Sequence, residues 1–366
     1  MSRYRLLGSC LELRAPPAVL ELCDRTFGAF RASGDTVANL RIEVEIHGPE
    51  LVATRTDAGG ATTVRLGTAE QAFGYVYAQV VEHAATSEPR LLCVHGAALA
   101  RERRGVIVAA ASRHGKTTLA LALTARGFAL LSDELAAIDR DSGLVHPFPM
   151  AVGCRRGTHA LLRESVFQGS PFRPSRVLDK MFLSVGDDVP GAARPVALRS
   201  VVFVERGAPP RDGLARYRVA FEPADPGMAE ALRAIPGVES VEGDSAGRAV
   251  EMQVRRGEWI APPVEAVFAR RGSVIVEVED LDLPAPGFHA LPAIEKLGLP
   301  EGVLTLFRHL RGFGHLEQLA REHPGGFAGL TAGWIERLAG VRFHRLTPGR
   351  LPDMLDAIET ACGDGS

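Results

Sequence analysis

The sequence predicts an α/β protein, and three stretches carry that prediction. The apolar run GVIVAAA (105–111) leads through SRHG into the Ala/Leu-rich KTTLALALTAR (116–126), a strand, a loop and a helix in direct succession. Residues 216–280 alternate in the order β-α-β-β-α-β. Between Val37 and Arg65, NLRIEVEI, ELVATRT and ATTVRL each alternate apolar with polar residues, the two-residue period of half-buried strands.

Those last three strands are separated by the turn formers HGP and DAGG. A helix is expected over Ala69–Ala84, then a strand LLCVHGAAL (91–99), a turn at RERRG and the buried strand 105–111. The helix from Lys116 to Arg126 ends at Gly127, a suitable residue for a left-handed terminus. The strand FALLS (128–132) runs directly into Asp133 and Glu134. Beyond HPFPM (146–150) the pattern is irregular until the strand VALRSVVFVER (196–206). Next come RYRVAFEP, MAEALRA, VESVE, RAVEMQV, VEAVFARRG and SVIVEVED, the order of a split ferredoxin-like unit. The tail reads as helices around VLTLFRHL, LEQLAREH and WIERLAG, a strand VRFHRL and a helix LPDMLDAIETA. The expected domains are an N-terminal β-rich segment (1–90) packing on a core (91–206), a ferredoxin-like insertion (207–285) and a C-terminal helical segment (286–366) that completes the fold.

Composition narrows the function classes. A chain of 366 residues is long enough for two domains or one domain with a large insertion. A net charge of −2 and a pI near 6.6 lack the basic footprint of a nucleic-acid binder. The five cysteines, Cys10, Cys23, Cys93, Cys154 and Cys362, form no CxxC pair; that argues against a zinc site or a disulfide framework and for a reducing, cytoplasmic setting. No apolar run approaches the roughly 20 residues needed to cross a bilayer, and the opening MSRYRLLGSCLELRAPP has no export-type apolar core. Lysine occurs only at Lys116, Lys180 and Lys296, so each draws attention, and one lies in the loop before the helix.

That loop is close to a phosphate-binding loop, G-x-x-x-x-G-K-[ST] between strand and helix. Gly115, Lys116 and Thr117 fit its second half, while Ala110 stands where the first glycine is expected. A helix N-terminus there would direct its unpaired N–H groups and positive dipole end at an anion. Lys116 would reach β/γ oxygens and Thr117 would ligate magnesium. Arg113 could itself contact phosphate through its guanidinium. Asp133, at the end of the next strand, could hold Mg²⁺ while Glu134 or Asp133 itself accepts a proton. Against this, GKT occurs by chance, and SDE (132–134) is also a helix N-cap followed by acidic first-turn residues. His95 reads by default as a strand-end or core histidine. Arg155, Arg156 and Lys180 read as second-site cations or solvated charge, and His146, before two prolines, as a loop residue.

The segments VHGAAL (94–99), GVIVAAASRHGKTTLALAL, GFALLSDELAAID (127–139) and HPFP (146–149) together resemble the HPr serine kinase/phosphorylase superfamily, most closely its HPr-kinase-related, peptide serine kinase-like branch. The resemblance covers about residues 91–206. It implies a P-loop kinase core of the HPr kinase/PEP carboxykinase-like type, with the N-terminal β-rich segment and the ferredoxin-like α+β module added to it. It further implies that Ser112, Arg113, His114, Gly115, Lys116, Thr117 and Thr118 form the nucleotide cradle. Thr117 and Asp133 would hold magnesium, and Asp133, Glu134 and His95 would be catalytic. The cofactors would be ATP and Mg²⁺, the acceptor a serine hydroxyl of a peptide or small protein, and the assembly a homo-oligomer. The second acidic residue is a glutamate where HPr kinase proper has aspartate, and no counterpart of the EIRG phosphorylase signature is present. Three further readings stay open: a nucleotide-gated ATPase, a small-molecule hydroxyl kinase and a degenerate kinase fold that binds peptides. The ferredoxin-like segment either presents a sheet edge to a peptide or serves packing alone.

Overall fold

The computed structural model describes the chain except for residues 33–36, 111–113, 175–179, 206–212, 256–260, 282–289, 312–318 and 364–366. It is a mixed α/β protein. The chain divides into two compact units, one of Met1–Asp24, Arg31–His83 and Gly207–Ala285, the other of Arg25–Phe30, Ala84–Arg206 and Pro286–Ser366.

The first unit opens with strands the alternation did not bring out, β1 (Ser2–Leu6) and β2 (Ser9–Arg14), before helix α1 (Pro17–Phe27). β3 (Leu40–His47), β4 (Glu50–Asp57) and β5 (Gly60–Leu66) complete a sheet in the order β1-β2-β3-β4-β5. In β3, Leu40, Ile42 and Val44 are buried while Arg41 and Glu45 face water, so one face is core and register is fixed by the period of two. Helix α2 (Ala69–Thr86) follows.

The second unit is built on β6 (Leu91–Arg101) and β7 (Arg104–Ala110). They form a two-residue hairpin at Glu102 and Arg103, whose φ angles of 50° and 66° are those of a primed turn matching the strand twist. Helix α3 (Lys116–Thr124) leads to β8 (Ala129–Ser132), then β9 (Leu135–Asp139), β10 (Leu144–His146), β11 (Val152–Arg155), helix α4 (Arg156–Leu161), β12 (Lys180–Leu183) and β13 (Val196–Val204).

The chain then returns to the first unit with β14 (Leu214–Glu222), α5 (Met228–Arg233), β15 (Val238–Gly243), β16 (Ala249–Arg255), α6 (Ala261–Arg270) and β17 (Val274–Asp280). These strands pair antiparallel in the order β15-β16-β14-β17. Their core is wholly apolar, with Val219, Phe221, Met252, Leu232 and Phe268 at its centre. The second unit closes with β18 (Ile294–Leu297), α7 (Leu299–Arg308), α8 (Gly326–Arg337), β19 (Arg342–Leu346) and α9 (Leu351–Cys362).

Its sheet runs β10-β9-β6-β7-β13-β19-β18, with β8 also paired to β6. β7, β13 and β19 are parallel, and β6 is antiparallel to β7, β8 and β9. β7 and β8 therefore point the same way on the two sides of β6, and Asp133 and Glu134 form a two-residue break before β9 continues along β6. Both faces are covered. Ile107 and Ala109 of β7 join one core with Leu306 and Trp334, and Val106 and Val108 join the other with Leu121 and Ile358. Burial on two faces is why GVIVAAA is continuously apolar.

Three local expectations are corrected. The helical pattern VLTLFRHL ends at Arg308, and residues 309–311 instead lie along β6, with His95 N–H donating to His309 O at 2.6 Å and Arg311 N–H to Cys93 O at 2.8 Å. This stretch takes the side of β6 that β7 has left, where unpaired strand groups give its backbone better partners than a frayed helix end. SDE is no helix start: Ser132 Oγ accepts the N–H groups of Glu134 and Leu135 at 3.2 and 3.0 Å, a turn joining two strands. His146 closes β10 in register with Ala137 and is not in a loop. Of LEQLAREH, residues 316–318 lie outside the described residues and 319–322 are helical.

Candidate functional site

The shared edge of β7 and β8 gathers the residues that the sequence scattered over positions 95 to 311. Ala110 is the last residue of β7, fully buried and in register with Val204. It is not among the residues with positive φ, so alanine carries no strain where the loop motif has its first glycine. Gly115, by contrast, has φ 84° and ψ 12° at the N-cap of α3, the left-handed region that disfavours a Cβ. Glycine is therefore kept at the position whose backbone requires it. No side chain caps α3, and its first-turn N–H groups have no intrahelical partner.

From that turn Thr117 Oγ1 donates to Asp133 Oδ2 at 2.9 Å. Lys116 Nζ is 3.2 Å from His95 Nε2 and 3.8 Å from Glu134 Oε2. His95 Nδ1 lies 3.2 Å from Glu134 Oε1. The same carboxylate oxygen accepts from Arg311 Nη2 at 2.8 Å, and that nitrogen is 3.0 Å from His95 Nδ1. The structure thus brings together His95, Lys116, Thr117, Asp133 and Glu134. Thr118 turns away, its hydroxyl 2.9 Å from that of Thr158. His114 is buried, and Ser112 and Arg113 lie outside the described residues.

The two carboxylates of the pair differ sharply. Burial would raise the Glu134 pKa, but the Lys116 ammonium, the hydrogen bond with His95 and the Arg311 guanidinium outweigh it and hold it well below the usual range. Asp133 is pushed up to about 6 by burial, which Lys116 and the Thr117 hydrogen bond only partly offset. Asp133 Oδ1 and Arg311 Nε are buried and have no hydrogen-bond partner among the described residues. Burial, Lys116 and Arg311 depress the His95 pKa to about 3 against the opposing pull of Glu134, so the ring is neutral. His309, stacked on Phe203 at 5.6 Å, is likewise held down to about 4 by burial, with Lys116 adding to it.

Sequence reasoning missed Arg311. It belongs to RHLRGFG, whose letters match no motif, and its approach depends on a strand pairing between residues far apart in the chain. Of the three second-site cations considered, Lys180 is near enough for its charge to lower the Asp133 pKa. Arg156 lies over the Phe172 ring at 4.8 Å, and Arg155 is exposed opposite Lys180.

No family model and no curated protein matches the chain. The functional reading therefore rests on the residues gathered at this edge. Chemically, they offer hard oxygen donors from a hydroxyl and a carboxylate, one ammonium, one guanidinium and a helix N-terminus. Such a set suits a divalent cation bound together with an anionic ligand. Among the described residues no group of three or more His, Cys, Asp or Glu side chains could enclose a metal by itself. Also among the described residues, no helix is long and apolar enough to cross a membrane.

Proposed function

We propose that the chain is an ATP- and Mg²⁺-dependent kinase with a P-loop core of the HPr kinase/PEP carboxykinase-like type, transferring the γ-phosphate to a hydroxyl, a serine of a peptide or small protein. The observation that carries this reading is the Thr117–Asp133 hydrogen bond at the start of α3, where, among the described residues, no side chain caps the helix and Asp133 Oδ1 has no partner. Hydroxyl, carboxylate and helix terminus meet there as a metal–triphosphate needs them.

Lys116 and the first-turn N–H groups would hold the phosphates, and Thr117 and Asp133 the Mg²⁺. When bound, the metal–nucleotide supplies the transferable phosphoryl group and neutralises its developing charge. Glu134 has its oxygens committed to Arg311, His95 and Lys116, which makes it a poor proton acceptor and a good anchor for the surrounding cations. Asp133 Oδ1 is buried and has no partner among the described residues, so Asp133 is the member of the pair that would take a cation or a proton. Most of the acceleration would come from positioning and charge neutralisation. The setting this chemistry suits is the cytoplasm, where ATP is available.

Titration calorimetry of Mg-ATP against the wild type and Lys116→Ala tests the reading. Binding that weakens at least about tenfold in the variant supports it, since one charge-assisted phosphate contact contributes about 1.4 kcal/mol or more. Absence of binding to the wild type would leave a peptide-binding scaffold as the better account.

A further inference from the structure

We infer that Arg311 is a positioning residue, the clamp that fixes the His95–Glu134 pair in the arrangement that orients Lys116. As a statement about phosphoryl transfer this rests on the kinase reading; as a statement about geometry it stands apart from it.

Lys116 Nζ can only donate, so at 3.2 Å the facing His95 Nε2 must carry a lone pair. In a neutral ring the proton is then on Nδ1, where Glu134 Oε1 at 3.2 Å can accept it. With that tautomer, Arg311 Nη2 is left to donate to Glu134 Oε1 at 2.8 Å, its shorter contact. The opposite tautomer sets an N–H against the Lys116 ammonium and leaves that pair of donors facing each other. The first assignment leaves one close donor pair, Arg311 Nη2 and the Nδ1–H at 3.0 Å, where the opposite leaves two mismatched contacts, Lys116 against an Nε2–H and Glu134 against a bare Nδ1. The first assignment makes a chain: Arg311 holds Glu134, Glu134 fixes the His95 ring, and His95 Nε2 receives Lys116.

The clamp is also built into the backbone. Arg311 is tied by its own N–H to Cys93 O, and His309 O takes the N–H of His95, so His95 and Arg311 are delivered by two paired stretches of chain. Glu134 is 19% exposed and His95 22%, leaving little room for the pair to reorganise if the guanidinium is removed. Neither Thr117 nor Asp133 takes part in the chain, which acts on the phosphate-facing lysine alone.

The test uses the full chain without nucleotide and, separately, with Mg-ATP. Long-range ¹H–¹⁵N correlation spectra of the ¹⁵N-labelled protein read the tautomer of His95 directly, with His95→Gln supplying the assignment. The wild type should show Nδ1 protonated and Nε2 bare at pH 7. Arg311→Ala should lose that single pattern and give mixed or reversed ring-nitrogen shifts, and Arg311→Lys, which keeps the charge without the fork, should restore it only in part. If Arg311→Ala does not fold, Arg311→Lys and Arg311→Gln carry the same comparison. In phosphotransfer, Arg311→Ala should lower kcat/KM for ATP by about 10–100-fold, the usual cost of losing an orienting partner, with recovery on adding guanidinium.

A wild-type His95 protonated on Nε2, or a variant ring identical to the wild type, overturns the clamp. The expected spectra without any phosphotransfer in the wild type would sink the kinase reading and leave the clamp standing. Phosphotransfer undiminished in Arg311→Ala would do the reverse.

Discussion

Two arginine–carboxylate clusters stand on the same sheet, and they are built to opposite specifications. Around Arg345 each nitrogen has its own partner: Nε meets Glu205 at 2.8 Å, Nη1 meets Glu295 at 3.1 Å and Nη2 meets Glu301 at 3.0 Å. Two of those carboxylates, Glu295 and Glu301, are 68% and 55% exposed. Around Arg311 the partners Glu134 and His95 are recessed, at 19% and 22% exposed, and Asp133 Oδ1 and Arg311 Nε remain unpaired among the described residues. A saturated, water-facing cluster is a surface feature of small energetic weight. A recessed cluster with unpaired atoms costs stability, a cost that a bound ligand would offset if the proposed reading holds.

The largest expected effect, and the most direct way to break this contrast, is chemical. Asp133→Ala should reduce phosphotransfer by about 10³-fold while circular dichroism shows the native fold. Retained turnover in that variant would remove the kinase assignment.

Next comes pH. The Asp133 pKa is raised from 3.8 to about 6, so a neutral side chain is favoured in the folded protein. The stability associated with that neutral form is present at low pH and is lost as pH rises through about 6, where folding must carry a buried charge that the unfolded chain solvates. Asp133→Asn should therefore match the wild type near pH 4 and exceed it at pH 7.5 by about 2–3 kcal/mol, measured by urea unfolding without nucleotide. Equal stability of the two proteins at both pH values would show that Asp133 is not desolvated.

Gly115→Ala sharpens the contrast within the loop. An added Cβ meets nothing within 4 Å, so the penalty is purely the left-handed backbone, about 1 kcal/mol. Ala110→Gly, in extended strand, should bring no gain in Mg-ATP binding by calorimetry, and an increase would mean that the first loop position matters after all. The smallest effect belongs to the saturated cluster. Arg345→Ala should cost no more than about 1 kcal/mol in urea unfolding and leave phosphotransfer unchanged; loss of activity there would erase the distinction drawn between the two arginines.

Part of this site was legible before folding. Gly115-Lys116-Thr117 opens a helix after a buried strand, and Asp133-Glu134 ends the next, because local order and a short crossover are written in adjacent letters. The alternative of a helix cap at Ser132 falls away only in the folded chain, where its hydroxyl accepts the N–H groups of Glu134 and Leu135 between two strand segments. The letters ran a helix through His309–Leu310, where amphipathic periodicity loses to a strand edge in need of partners.

By itself, then, the sequence determined the α/β class, the strand–loop–helix at 105–126 and the acidic pair, all set by periodicity and turn chemistry over short spans. Only the tertiary structure decided that β6 lies between β7 and β8 and that residues 309–311 extend along its open side. The last of these pairings joins positions more than two hundred residues apart; it brings Arg311 to Glu134, while Asp133 Oδ1 has no partner among the described residues. Hydrogen bonds and charge act through space, so the unequal roles of Asp133 and Glu134 could not be read from two neighbouring letters.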